Sequence, residues 1–347
     1  MKIAIIVNNQ HHLPADLVRS LDEQIAMVRL ARDEGWDGFM ASMHYLHDGD
    51  VVAMQQVPLL ARLQAEAGEM SMGVAIFLLN LHNPVYTAET MATLDVIARG
   101  RLVFGIGLGY RDVEFDAFGV PKGQRVRRLE DHLDIVKRLW AGETVSHDAP
   151  QCRLAGVRLN LRPVQQPHPP IWMAANHDRA VRRAARLGDC WYINPHATHA
   201  TNRRQMALYV AERRAAGLPL PAEVPCRREI FCAETRAKAL EMVAPYLGEK
   251  YRIYSRWGQA RAMPADERLD LPFAELLRER FVIGTPEDCY EQLRPCWEEL
   301  GVTTFVLRTH FIGMPIDHAL HSMRMISREL LPALRKAAPV ELARLSF

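Results

Sequence analysis

The sequence predicts an α/β protein built as a single (β/α)8 TIM barrel with insertions. Three observations predict it. Short, β-rich apolar runs alternate with longer amphipathic runs, the alternation repeats eight times, and 347 residues hold eight such units with room for excursions. The strands read as continuous apolar runs, which is the pattern of a parallel sheet covered on both faces. An open, doubly wound sheet is the structural rival. No segment recurs at a fixed period, so a solenoid is excluded.

The elements follow in order. Lys2–Val7 is apolar and ends at Asn8, Asn9 and Gln10, giving the first strand. Leu21, Ile25, Val28, Leu30 and Ala31 fall at helical spacing, and Gly35 stops that helix. Trp36–Met40 is the second strand and Val51–Glu66 the second helix. Ser71–Phe77 is the third strand. Val85–Ala98 is the third helix, preceded by Pro84, where a missing N–H costs little. Leu102–Ile106 and Arg125–Trp140 form the fourth unit.

From 141 to 170 the pattern fails, and Pro163, Pro167, Pro169 and Pro170 preclude a long helix. An insertion with a small hairpin near Cys152–Leu161 is predicted there. Ile171–Ala174 and Asp178–Leu187 form the fifth unit, closed by Gly188. Cys190–Ile193 and Thr201–Ala216 form the sixth. Pro225–Ala233 is the seventh strand, followed by helix from Thr235 to Trp257. A second insertion, rich in Pro, Arg and Asp, covers 258–280. Pro286–Leu300 is helical with Thr285 as N-cap. Thr303–Leu307 is the eighth strand and Ile316–Ala337 the closing helix.

Charge and cysteine usage narrow the function. There are 43 basic and 41 acidic residues, a formal charge of +2, and no long block of one sign. The basic stretches Arg125–Arg128 and Arg182–Arg186 read as solvated helix faces or, alternatively, as local anion sites. Neither is the stripe that nucleic acid requires. The apolar run at the N-terminus is too short for a signal-peptide core or a membrane span. The six cysteines form neither a CxxC pair nor a zinc-spaced set. Reduced, buried thiols and a cytoplasmic location are expected.

In such a barrel the chemistry sits at the C-terminal ends of the strands. Histidines crowd there: His11, His12, His44, His47, His82, His177, His196, His199 and His310. One reading is a metal site, with His44 and His47 at i, i+3 spacing beside Asp48 and Asp50. No HxxxH or HExxH core supports it, and no metal ligand is assigned. The other reading is a polar cofactor pocket in which neutral imidazoles bond and move protons near neutral pH. In FGIGLGY, Gly105, Gly107 and Gly109 follow a fourth strand rather than a first. They either let the chain turn at the rim or let a ring approach the backbone. Phe77, Tyr110, Phe115, Trp191 and Phe311 are aromatics that could suit an apolar organic ligand, or the core.

Taken together, these segments resemble the bacterial luciferase-like monooxygenases. The resemblance is carried by GRLVFGIGLGYRDVEFDAFGV (Gly100–Val120) with Arg125–Trp140 after it, by LHNPVYTAETMATLDVIARGR (Leu81–Arg101), by PPIWMAANHDRAVRRAARLGDCW (Pro169–Trp191), and by VIGTPEDCYEQLRPCWEELGVTTFVLR (Val282–Arg308). It spans nearly the whole chain in order.

The resemblance implies a barrel holding a flavin at its C-terminal mouth. The cofactor is reduced FMN acting with O2 on a small organic substrate, or alternatively the deazaflavin F420 acting by hydride transfer. It also implies a homodimer and, for the FMN class, a separate NAD(P)H:flavin reductase. By residue, it puts His44 beside the reactive edge of the flavin as the catalytic group. His82 and Asn83 fall in the loop approaching the ring, and Gly107 is counted with them among the cofactor-binding residues. Tyr110 and Arg111 fall near the flavin tail or the substrate mouth. Ala175, Asn176 and His177 fall in the phosphate-cradling turn. That turn commonly carries glycine and serine, and Asn176 would then cap the following helix in serine's place. A flavin-carrying barrel without catalysis and a metal-dependent hydrolase are the readings from other classes.

Overall fold

β1 (Lys2–Val7) is buried at every residue after Lys2 and lies between β2 (Gly38–Ala41) and β8 (Thr304–Arg308), parallel to both. The computed structural model describes residues 1–346. The strands β3 (Ser71–Phe77), β4 (Leu102–Ile106), β5 (Ile171–Ala174) and β6 (Cys190–Tyr192) continue from β2 in sequence order. β7 (Pro225–Cys232) continues from β8. Ile193, just after β6, bridges to Cys226 of β7, and that contact brings the two flanks of the curled sheet together. The result is the parallel, barrel-type α/β sheet that the alternation predicts.

Alternation within the strands separates two apolar layers. Ile3, Ile5 and Val7 of β1, with Phe39 and Ala41 of β2, pack outward against the helices. Ala4, Ile6, Met40, Val103, Trp172, Tyr192 and Val306 point into the bore. The helices are α1 (Leu17–Asp33), α2 (Gln56–Ala67), α3 (Pro84–Ile97), α4 (Arg125–Trp140), α5 (Asp178–Leu187), α6 (His199–Ala215), α7 (Arg236–Arg256), α8 (Pro286–Glu299) and α9 (Ile316–Met325). Thr285 caps α8 in a reciprocal capping box with Asp288.

Four local departures have physical causes. Val51–Ala53 is not helical; it pairs antiparallel with Gln10–His12, so α2 begins only at Gln56. Two β-branched valines find a partner some forty residues away, which local periodicity does not register. The first insertion forms its hairpin from Val145–Ala149 and Cys152–Val157, earlier than expected. Phe281–Gly284 adds a further short strand to β7, on the edge that Ile193 meets lower down. The closing helix is interrupted at Ile326–Leu330 by a π segment. Pro332, with no N–H to give, lies two residues past the end of that segment.

Candidate active site

A cavity of about 290 Å³ opens at the C-terminal ends of β2 to β6. Ser42, Met43 and His44 enter it after β2. Ala75 and Ile76 of β3 and the turn Gly107–Tyr110 after β4 form one wall. Ala174–His177 and Asn194–His196 form the opposite side, and Gly258–Ala262 of the second insertion form the roof. That size suits an organic ring rather than a single ion.

Within this wall His44 is held by a carboxylate. Its Nδ1 lies 3.1 Å from Oε1 of Glu114, on the short helix Asp112–Ala117 after β4. The same oxygen accepts the Tyr45 N–H at 2.8 Å, so it is an acceptor toward the loop. Glu114 is fully buried, and among the described residues its Oε2 has no hydrogen-bond partner. A carboxylate oxygen already accepting one N–H puts the imidazole hydrogen on Nδ1 and leaves the lone pair on Nε2. That Nε2 lies 3.4 Å from the Tyr110 hydroxyl. Burial, then Tyr254 and Glu114, push the Tyr110 hydroxyl well above its usual range, so it keeps its proton. Tyr110, Tyr254 and Trp257 stand edge-on to the imidazole, with centroids 5.4–5.9 Å away.

The other expected residues divide. Gly107, Tyr110, Ala175, Asn176 and His177 line the cavity with His44. A Cβ on Gly107 would run into the Ile76 side chain, whereas Gly109 turns the chain at φ +71°. Close approach and tight turning are therefore both present, at different glycines. His82, Asn83 and Arg111 are not among the lining residues. The His82 ring stacks on Phe77 and bonds the Tyr45 hydroxyl at 2.7 Å, and burial holds its pKa down at about 4. Asn83 caps α3 by accepting the Val85 N–H at 2.8 Å. Arg111 donates to the carbonyls of Tyr45 and Leu46 and stacks 4.3 Å over Trp257, clamping the loop that carries His44. Of the mouth aromatics, only Tyr110 reaches the cavity; Phe77, Phe115, Trp191 and Phe311 pack in the core.

Asn176 does not cap α5. The N-cap is His177, which makes no side-chain cap bond, while the Asn176 amide pairs with Asn194 and its carbonyl accepts from Gln205 at 2.6 Å. Asn176 sits one residue too early, and Asn194 on the neighbouring strand end competes for its side chain. Asp178, first in α5, turns its carboxylate to Arg204 at 2.6 Å.

Several functional candidates escaped the sequence reading. Glu114 is one. Lys122 and Arg261 around the cavity rim are others; Arg125 beside them belongs to the stretch read as a helix face or an anion site. Lys122 is neutralised by Asp112 at 2.6 Å, whereas among the described residues no carboxylate lies within ion-pair distance of Arg125 or Arg261. In the bore, Arg227 and Glu229 of β7 stand with Lys250 of α7 and Arg308 of β8, all nine-tenths or more buried. Lys250 pairs with Glu229, and Arg227 approaches the same oxygen at 3.5 Å. Burial pushes the Glu229 carboxyl up, but Lys250, Arg227 and Arg308 outweigh it and hold it at about 2. The signal available in the sequence was three consecutive charges, Arg227, Arg228 and Glu229, inside an otherwise apolar core strand. Among the described residues, no group of three or more His, Cys, Asp or Glu side chains is placed to hold a metal ion.

Residues 1–304 match the family model described as luciferase-like monooxygenase. The chain is similar to the uncharacterised protein y4wF of Sinorhizobium fredii, 26% identical over 78% of this chain and 80% of that one. It is also similar to the phthiodiolone/phenolphthiodiolone dimycocerosates ketoreductase of Mycobacterium tuberculosis, 28% identical over 69% of each. Among solved structures, the monooxygenase RslO1 of Streptomyces bottropensis superposes with a TM-score of 0.83 at 24% identity, covering 96% of this chain and 99% of that one. The oxygenating constituent of 3,6-diketocamphane monooxygenase of Pseudomonas putida, in complex with FMN, gives 0.80 at 19% identity, covering 98% and 99%. An F420-dependent secondary alcohol dehydrogenase, in complex with an F420-acetone adduct, gives 0.76 at 15% identity, covering 96% and 99%.

Proposed function

The chain belongs to the luciferase-like monooxygenase family, and from that premise we propose that it is a monooxygenase using reduced FMN and O2 on a small organic substrate. The observation that carries this reading is the His44–Glu114 pair at a cavity whose rim presents two arginines without carboxylate partners. FMN, when bound, supplies two electrons and the centre at which O2 is reduced.

The residues fit that cofactor. Arg125 and Arg261 would hold the phosphate at the rim, which Asn176 and His177 at the N-terminus of α5 also line. Gly107 would leave the ring room against the backbone, and Tyr110 lines the same wall. Ala175, Asn176 and His177 shape the phosphate end by their backbone, and the clamp of Arg111 with His82 and Asn83 holds the surrounding loops. His44 acts through Nε2, taking or giving a proton at the reacting centre, and Glu114 fixes its tautomer. The roof Gly258–Ala262 excludes water from the ring.

A separate NAD(P)H:flavin reductase would supply the reduced flavin. Support comes from the FMN-binding neighbour, which is one constituent of its monooxygenase. Six free, buried cysteines support a cytoplasmic setting, and no helix among the described residues is long and apolar enough to cross a membrane. A homodimer is proposed on an exposed apolar helix face. Leu60, Leu63, Met91 and Leu94 are buried within the chain, whereas Tyr86, Val96 and Ile97 leave an apolar face of α3 exposed. Sedimentation at micromolar protein tests it, and a species of monomer mass alone would rule it out.

F420-dependent hydride transfer is the second reading, favoured by the ketoreductase relatives. The deciding experiment titrates FMN and F420 into the protein and then asks which reduced form supports substrate-dependent turnover. Reduced FMN with O2 uptake is expected. Turnover with reduced F420 alone would transfer the reading to hydride transfer. FMN binding without substrate-stimulated reoxidation would make the chain a flavin carrier.

A further inference from the structure

The floor of the cavity carries more positive charge than the protein neutralises. Arg227 lines it and is 8% exposed. One carboxylate, Glu229, faces Arg227, Arg308 and Lys250. Burial and the two arginines pull the Lys250 ammonium well down from its usual range. Guanidinium groups do not lose their proton. Whether or not Lys250 keeps its own, two arginines therefore stand against one carboxylate. His196 adds no compensation, since burial, then Lys250 and Arg227, hold its ring neutral. A desolvated positive charge without a counterion is costly, and an anion placed against it recovers that cost.

Polar atoms at the same floor also lack partners. Arg227 Nε, the Tyr192 hydroxyl and His196 Nδ1 are buried with no hydrogen-bond partner among the described residues, and all three side chains line the cavity. Buried polar atoms are satisfied in folded proteins as a rule, so three orphans at one surface point to a ligand. Burial drives the Tyr192 hydroxyl upward, so it remains a donor. The set of a guanidinium, a phenol and an imidazole, backed by aromatic walls at Tyr192 and Tyr254, is complementary to a planar acid.

We propose that the floor is an acid-binding subsite: the organic substrate carries a carboxylate that Arg227 anchors, with Tyr192 and His196 bonding its oxygens. This rests on the reading of the cavity as the site shared by flavin and substrate. The phosphate of the cofactor is met separately at the rim, by Arg125 and Arg261. A substrate held by its acid end at the floor would present its other end toward His44.

The test uses two isosteric probes that differ in charge, benzoate and benzamide. Each is titrated calorimetrically at neutral pH into the full chain, with and without FMN. Benzoate is expected to bind roughly tenfold or more tightly than benzamide, as a charge-assisted pair requires. Arg227→Gln should bring the two probes to parity with FMN affinity unchanged, and Arg227→Lys should restore part of the preference. Tyr192→Phe should weaken benzoate a few-fold and leave benzamide alone, which decides the matter if the Arg227 variants do not fold. Equal binding of the probes, or a preference that survives Arg227→Gln, overturns the proposal. So does loss of FMN binding in Arg227→Gln, which would give Arg227 to the cofactor. The titrations without FMN keep the two readings apart: failure to bind any flavin sinks the proposed function, while the acid preference is still read.

Discussion

Oε1 of Glu114 accepts from both the Tyr45 backbone N–H and Nδ1 of His44, at 2.8 and 3.1 Å. One oxygen thus fixes the position of the β2 loop and the tautomer of its histidine. Glu114→Gln keeps the size but offers an amide N–H that can reverse the bond and move the imidazole hydrogen to Nε2. The expected outcome is a turnover loss of about 10- to 100-fold, with flavin affinity within a few-fold of the parent. Stopped-flow turnover beside a flavin titration checks it. Unchanged turnover would show that Glu114 only braces the loop.

Arg125 and Arg261 make a different prediction, one of charge alone. Each replaced by Gln should weaken FMN by roughly tenfold, the worth of a charge-assisted bond to phosphate, and leave riboflavin affinity as it was. Fluorescence titration of both flavins measures this. Equal losses for FMN and riboflavin would place the phosphate elsewhere.

Stability should respond to pH in a defined window. Burial holds His11, His47, His82, His132 and His310 neutral, each titrating at about 4 in the folded protein against 6.5 unfolded. Between those values the unfolded chain binds more protons, so stability rises with pH there. Their contribution is complete above 6.5 and is lost as pH falls toward 4. The Glu229 carboxyl, held at about 2, adds its loss only at lower pH, below its unfolded range. The thermal midpoint is expected to be flat at pH 7 to 8 and to fall steadily between 6.5 and 4. A midpoint constant to pH 4.5 would contradict the buried-neutral assignment.

The barrel was legible in the sequence because its strands are local, apolar and separated by stop signals. Gly35, Gly188 and Thr285 mark boundaries that the structure keeps. What was missed is long-range. Val51–Ala53 is a strand only because Gln10–His12 lies beside it. Asn176 was given to the helix cap, but Asn194, from another strand end, takes its side chain. His44 and its place after β2 could be read from the family pattern, whereas Glu114, seventy residues later, reaches His44 only through the fold. Arg227 and Glu229 were visible as letters, but their meaning depends on which face of β7 points into the bore.

The account turns on His44 as a proton-transfer group beside the flavin. His44→Asn keeps a donor and an acceptor at the position and removes the titratable ring. The decisive measurement is substrate-dependent turnover of this variant with reduced flavin across pH 6 to 9, alongside its flavin affinity. The account predicts flavin binding within a few-fold of the parent and a loss of roughly 10²-fold or more in turnover. A folded variant that binds flavin and turns over at the parent rate throughout that range would contradict it.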